Sequence, residues 1–104
     1  MLEKRSRKTR FQQAEEDADK AAFWELKADS RAIKDRHVLA LVLSHALAYW
    51  EMATNKLDSL TPPQSKDAKI KEKRHWYNER AKQCNEEIKS YNIVHYISSE
   101  SDYD

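Results

Sequence analysis

The residue types that most often carry chemistry in proteins are sparse in this chain. Glu72 and His75 have the Glu-x-x-His spacing with which one helical turn supplies two ligands to a di-iron site. Such a site needs a second Glu-x-x-His and two further glutamates, and the sequence contains no second copy of the motif. We therefore predict neither a metal site nor another cofactor, and we interpret Glu72 as part of an exposed, basic stretch.

The single cysteine and the four histidines do not suggest a nucleophile with its base. Cys84 lies on an apolar stripe that repeats every seven residues, together with Ile70, Tyr77 and Tyr91. A thiol on such a stripe is usually unreactive and contributes only to packing. His95 lies on the same stripe, while His37 and His45 have no carboxylate or thiolate spaced to join them. We predict that the protein is not an enzyme and has no catalytic residues.

The composition excludes several classes of site. The 104 residues include no glycine, which phosphate-binding loops, dinucleotide folds and nucleophile elbows all use. Tight β-hairpins also favour glycine, so its absence favours helices over sheets. A lone cysteine excludes an internal disulfide, the charged N-terminus does not resemble a signal peptide, and the longest apolar run is too short to span a membrane. We expect a soluble cytoplasmic protein.

Basic residues form two segments, 4–10 and 66–74, that could contact phosphates. The net charge is only +1, and the acidic run at 15–19 follows the first segment directly, so ordinary solvation is the competing interpretation. The residues of a nucleic-acid site would be Lys4, Arg5, Arg7, Lys8 and Arg10 in the first segment and Lys69, Lys73 and Arg74 in the second.

Aromatic residues suggest a site of another kind. The apolar stripes of the expected helices do not account for all of Trp24, Trp76 and Tyr96. Because Trp and Tyr are enriched where protein interfaces concentrate their binding energy, we predict these three as partner-binding residues. The competing interpretation places Trp76 as a cap on a helical seam and Trp24 against a neighbouring helix.

Two long helices should position these residues. Pro62-Pro63 should end one helix near Leu60, giving a hairpin of residues 30–60 against 65–98 with Ser65 as the second N-cap. A turn centred near Pro63 would place Val42 beside Cys84, Tyr49 beside Tyr77 and Trp50 beside Trp76. The first of these helices is apolar nearly all round between 38 and 50, so it needs a second neighbour.

The segment 8–28 is the natural second neighbour, because it carries a narrow, alanine-rich stripe. Asp29-Ser30 offers an N-cap at which the chain could reverse, but no proline or glycine forces a break there. A continuous helix from about 8 to 60 would be roughly 80 Å long and would have to pair with another copy. Both arrangements remain open at this point.

One short motif resembles a known family. Tyr96-Ile-Ser-Ser-Glu100 resembles the Tyr-x-x-x-Asp/Glu tail of type VII secretion substrates, which are helical hairpins of about this length. Those proteins usually carry a Trp-x-Gly turn, and a chain without glycine departs from that pattern. We assign no family from five residues.

We therefore expect an all-α fold: an antiparallel helical hairpin with an additional N-terminal helix, forming a three-helix bundle or, alternatively, a long-helix dimer. Residues 1–10 would form a basic flexible arm, 11–98 a single helical domain and 99–104 an acidic tail. The expected function is a non-catalytic protein–protein interaction module, an adaptor, regulator or stoichiometric inhibitor. Its partner would be another protein or a second copy, with no membrane; nucleic-acid binding is the alternative.

Overall fold

The fold is a bundle of three α-helices. The computed structural model describes the backbone of residues 8–30 and 32–103, and the side chains of residues 8–30 and 32–91. Helix α1 spans Arg10–Asp29, α2 spans Arg36–Asp58, and α3 spans Ala68–Tyr103, with a short 3-10 helix at Gln64–Lys66 before α3. The described residues include no β-strand. The all-α prediction is confirmed.

The N-terminal helix folds back on the hairpin. Helix α1 runs antiparallel to α2, because Asp17 pairs with Lys56 and Trp24 stacks on His45. It runs parallel to α3, with Glu15 paired to Lys73 near one end. The three-helix arrangement is therefore the one observed, and the continuous helix from 8 to 60 is wrong because the chain leaves helical geometry after Asp29.

Each helix begins at a side-chain cap. Thr9 and Gln12 form a reciprocal capping box before α1. The carboxylate of Asp35 accepts from the backbone N–H groups of His37 and Val38 at 2.8 and 3.3 Å, and Asp67 caps α3 in the same way. These bonds satisfy donors that the first turn of a helix leaves without partners.

Two predicted helix starts were wrong. Ser65 lies within the 3-10 helix and does not cap α3, because the chain makes a further turn before Asp67. The second helix begins at Arg36 and not near residue 30, since Asp29-Ser30 ends α1 and Asp35 supplies the cap. The bounds of α3 also include most of the stretch 99–104 that we expected as an acidic tail, and Arg10 is helical.

The core runs along the middle of the bundle and joins all three helices. Trp50 is its largest buried side chain, 2% exposed, and its ring lies 5.6 Å from those of both Trp76 and Tyr77. The predicted pairing of Trp50 with Trp76 is thus confirmed. Small residues on α1 let that helix approach closely, and the buried cluster comprises Ala14, Ala18, Ala21, Leu43, Ala46, Trp50, Ala53, Leu57, Tyr77, Ala81 and Cys84.

Candidate functional site

An exposed tryptophan on α3 is the centre of the site. Trp76 is 54% exposed, yet its ring packs edge-to-face on the buried Trp50 and at a tilt against Tyr77, 6.0 Å between centroids. These two contacts restrict the ring while leaving about half of it in water. Trp76 lies with Lys69, Glu72 and Lys73 around a depression of about 480 Å³, and we call these four residues the Trp76 surface.

Behind Trp76 a charged network ties the three helices together. Glu25 of α1 accepts one hydrogen bond from the indole Nε1 of Trp50 and another from the guanidinium of Arg80. The guanidinium lies 5.9 Å from the ring centroids of Trp50 and of Trp76, and donates to Gln83 at 3.1 Å. A cation against two aromatic faces fixes both rings, so the network positions Trp76.

Sequence reasoning did not identify Glu25. Its signal is a charged residue that continues the apolar stripe of Ala14, Ala18 and Ala21 four residues further along α1. A carboxylate at such a position is retained only when it has partners, here Trp50 and Arg80. Asp17, which is 5% exposed and binds Lys56 at 2.5 Å, carries the same signal on the same helix.

The other predicted partner-binding aromatics differ from Trp76. Trp24 is partly buried and its ring stacks on that of His45 at 4.6 Å, with Phe23 edge-on at 5.8 Å. Its contacts therefore match the interpretation that places it against a neighbouring helix within the chain. The side chain of Tyr96 lies outside the described residues.

Several of the predicted phosphate-binding residues are engaged in ion pairs. Lys8 pairs with Glu16, whose carboxyl pKa this contact lowers, and Lys73 pairs with Glu15 at 3.0 Å. The guanidinium of Arg74 donates to both oxygens of Asp58, at 2.5 and 3.1 Å, which raises the pKa of that guanidinium. Lys4, Arg5 and Arg7 lie outside the described residues; Arg10 and Lys69 are exposed.

The fold nevertheless brings Arg10, a described residue of the first basic segment, to the same end of the bundle as the second basic segment. Helix α1 begins at Arg10, and the ammonium of Lys73 lies 5.4 Å from the ring of the next residue, Phe11. The first turn of α1 and the first turns of α3 therefore lie near one another. Glu15, Glu16 and Asp58 lie among these cations and offset part of their charge.

A second groove lies between α2 and α3. It encloses about 420 Å³ and is polar, with Thr54, Asn55, Asn78, Lys82 and Asn85 in its lining. Polar walls of this kind are well solvated and offer little apolar area to a partner. The Trp76 surface is the better docking surface of the two.

Among the side chains that the structure describes, the groups that could act chemically form no cluster. Burial raises the pKa of the Cys84 thiol to about 12, with the neighbouring Glu25 adding to the rise, so this sulfur stays protonated at neutral pH. Among the described residues no group of three or more His, Cys, Asp or Glu side chains could hold a metal ion. Within the same residues, no helix has the length and apolar character of a membrane span.

Comparison with known proteins gave no significant match. No family model matches the sequence, and neither curated proteins nor solved structures gave a significant match.

Proposed function

We propose that the protein is a small non-catalytic protein–protein interaction module, an adaptor, regulator or stoichiometric inhibitor, that binds its partner through the Trp76 surface. The observation that carries the proposal is the half-exposed ring of Trp76, held in one position by Trp50, Tyr77 and Arg80. A restricted aromatic side chain loses little conformational entropy on binding and supplies a large contact area. The cytoplasm is the proposed location, because the lone Cys84 forms no internal disulfide.

The surroundings of Trp76 suit an interface. Hot-spot residues are commonly aromatic and are ringed by polar contacts that exclude water once the complex forms. Lys69, Glu72 and Lys73 form such a rim on one side of the ring, and their alkyl portions add apolar area.

The test is affinity for partners captured from a cytoplasmic extract, with Phe23→Ala as the matched control for Trp76→Ala. Phe23 is 53% exposed, almost the same as Trp76, but lies on α1 against Trp24. We expect Trp76→Ala to weaken partner binding by about 2 kcal/mol, or about thirtyfold, and Phe23→Ala to leave it nearly unchanged. Equal binding by both variants and the parent chain, with unchanged helical circular dichroism, would refute the role of Trp76.

Nucleic-acid binding is the second candidate, and the observation that favours it is that Arg10, in the first basic segment, lies at the same end of the bundle as the second basic segment. The ion pairs of Lys8, Lys73 and Arg74 weigh against it, because each would have to be shared with a phosphate. Titration of salt against affinity for a generic duplex tests it: phosphate contacts give a steep loss of affinity with rising salt. No binding at low salt removes this candidate.

A further inference from the structure

The outer side of α2 carries no charge over four turns. From His37 to Trp50 the helix contains no Asp, Glu, Lys or Arg, whereas 36% of the whole chain is charged. Among the described side chains of the three helices, no other uncharged run is longer than four residues. The exposed residues of this run are His37, Val38, Leu41, Ser44, His45 and Ala48.

This uncharged side of α2 is also apolar and faces away from the bundle. Leu41 is 61% exposed, and Val38 and Met52 are each 43% exposed. Two residues along a helix turn the side chain by about 200°, so Ala48 lies nearly opposite the buried Trp50. We call Val38, Leu41, Ser44, His45, Ala48 and Met52, all of them exposed, the α2 face.

We infer that the α2 face is the interface between two copies of the chain, with the two α2 helices crossing near Ser44 and Ala48. Small side chains at a crossing let two helix axes approach closely. Leu41 and Met52 lie on either side of the crossing, and they share one line along the helix because eleven residues make about three turns. Leu41 is therefore level with Leu41 of the other copy in a parallel pair and with Met52 in an antiparallel pair.

The absence of charge is what favours a second copy as the occupant. A two-fold interface brings residues near the axis close to their own copies, so a charged residue there meets a like charge. The other helical faces carry a charge at nearly every turn and would incur that cost. The α2 face avoids it in both directions. Interfaces between different proteins commonly use complementary charges to select the partner, and this face offers none.

The size of the α2 face indicates a weak and reversible dimer. Residues 38–52 extend over about 21 Å at 1.5 Å per residue, and a helix is about 10 Å wide. Such a face is smaller than the ~800 Å² that each partner buries in a standard interface. Complexes at the small end of the range are typically transient, so we expect a dissociation constant in the micromolar range or above.

Pairing through the α2 face leaves the Trp76 surface accessible. Trp76 packs on Trp50, which lies on the opposite side of α2 from Ala48. The dimer would thus present two Trp76 surfaces to partners. The inference does not depend on the proposed function, because Trp76→Ala should leave the mass of the dimer unchanged whether or not it weakens partner binding.

Sedimentation equilibrium of the purified full chain, from about 1 μM to about 1 mM, tests the mass directly. We expect a monomer–dimer equilibrium that Ala48→Glu weakens at least about a hundredfold, because two carboxylates would meet at the crossing. Leu41→Ala should weaken it about tenfold by removing apolar contact area.

The matched control is Ala22→Glu. Ala22 is another exposed helical alanine, but it follows Glu15 by seven residues and so lies on the side of α1 where Glu15 bonds Lys73. This variant should dimerise like the parent, and circular dichroism should show equal helix content in all variants. A parent that is monomeric at every concentration, or a dimer that Ala48→Glu leaves intact, overturns the inference. A monomer that captures a different protein from the extract and loses it through Ala48→Glu would assign the face to that protein and overturn it as well.

Cysteine crosslinking tests the position of the crossing. Ala48→Cys places a thiol close to its own copy in either direction, so mild oxidation should give a covalent dimer. Ala22→Cys, on the other side of the bundle surface, should stay monomeric under denaturing conditions. The parent chain, whose Cys84 is buried, gives the background. Equal crosslinking by Ala48→Cys and Ala22→Cys would indicate random collision and overturn the proposed interface.

Discussion

At the scale of single residues, Glu25 is the side chain on which the position of Trp76 most depends. Its two carboxylate oxygens accept from the indole of Trp50 and the guanidinium of Arg80, so one residue of α1 joins α2 to α3. Arg80 Nε is already buried without a hydrogen-bond partner, which leaves the guanidinium little tolerance for losing another bond.

Glu25→Ala should therefore lower the free energy of unfolding by about 3 kcal/mol, because it leaves the Trp50 N–H and the Arg80 charge without their acceptor. The measurement is urea denaturation followed by circular dichroism. Glu79→Ala is the control, since Glu79 only meets Lys82 at 3.5 Å on the surface of α3 and should cost no more than ~0.5 kcal/mol. Similar losses in the two variants would show that Glu25 has no special structural role.

Residue types alone could predict which chemistry is improbable but not which aromatic would be exposed. Trp24, Trp50 and Trp76 are equally spaced in the sequence, and nothing in that spacing separates a buried ring from a half-exposed one. The distinction arises from three-dimensional contacts: Trp50 is buried in the core, Trp24 stacks on His45, and Trp76 packs edge-to-face on Trp50 while about half of it stays exposed.

At the scale of elements, the helices follow from periodicity and their starts from local capping. The apolar stripe that repeats every seven residues through Ile70, Tyr77 and Cys84 predicted α3, and these residues do pack toward the core. The predicted caps failed because several Ser and Asp residues near each loop could serve. Before α3 the chain makes a 3-10 helix at Gln64–Lys66 that contains Ser65, so the cap is Asp67 and not Ser65.

The cap of α2 provides a prediction at this scale. Asp35→Ala removes the acceptor of two backbone N–H groups and should lower the free energy of unfolding by about 1 kcal/mol. Asp35→Asn should recover most of that loss, because an amide oxygen caps a helix about as well as a carboxylate oxygen. Thermal denaturation of the parent and the two variants measures their order of stability. Equal stability of the alanine variant and the parent would mean that the cap contributes nothing.

At the scale of the whole molecule, the alternatives of a folded-back and a continuous N-terminal helix could not be separated by pattern alone. Both cover the apolar sides of α2, one within a single chain and one with a second chain. Ion pairs distant in sequence favour the folded-back form, since Asp17 meets Lys56 and Glu15 meets Lys73 only when α1 lies in the bundle. Such pairings depend on register, which composition does not reveal.

Two ionisable side chains buried in the core also make the free energy of unfolding fall at high pH. Burial raises the pKa of Cys84 from 9.0 to about 12 and that of Tyr77 from 10.0 to about 12. In the unfolded chain these groups lose their protons at the lower values, so between about pH 9 and 12 the unfolded state binds fewer protons than the folded state. The free energy of unfolding then decreases as the pH rises, by up to ~1.4 kcal/mol per pH unit for each group, whereas below pH 9 neither group contributes a pH dependence.

Urea denaturation of the parent and of Cys84→Ala between pH 7 and 11 should show this loss. The variant lacks the thiol, so its stability should begin to fall about one pH unit later, where Tyr77 ionises in the unfolded chain. The difference between the two proteins should stay constant up to about pH 9 and then change in favour of the variant, because only the parent must keep a thiol protonated in order to remain folded. Two curves that stay parallel to pH 11 would mean that the thiol ionises as readily in the folded protein as in the unfolded chain, and that Cys84 is open to solvent and not enclosed by the three helices.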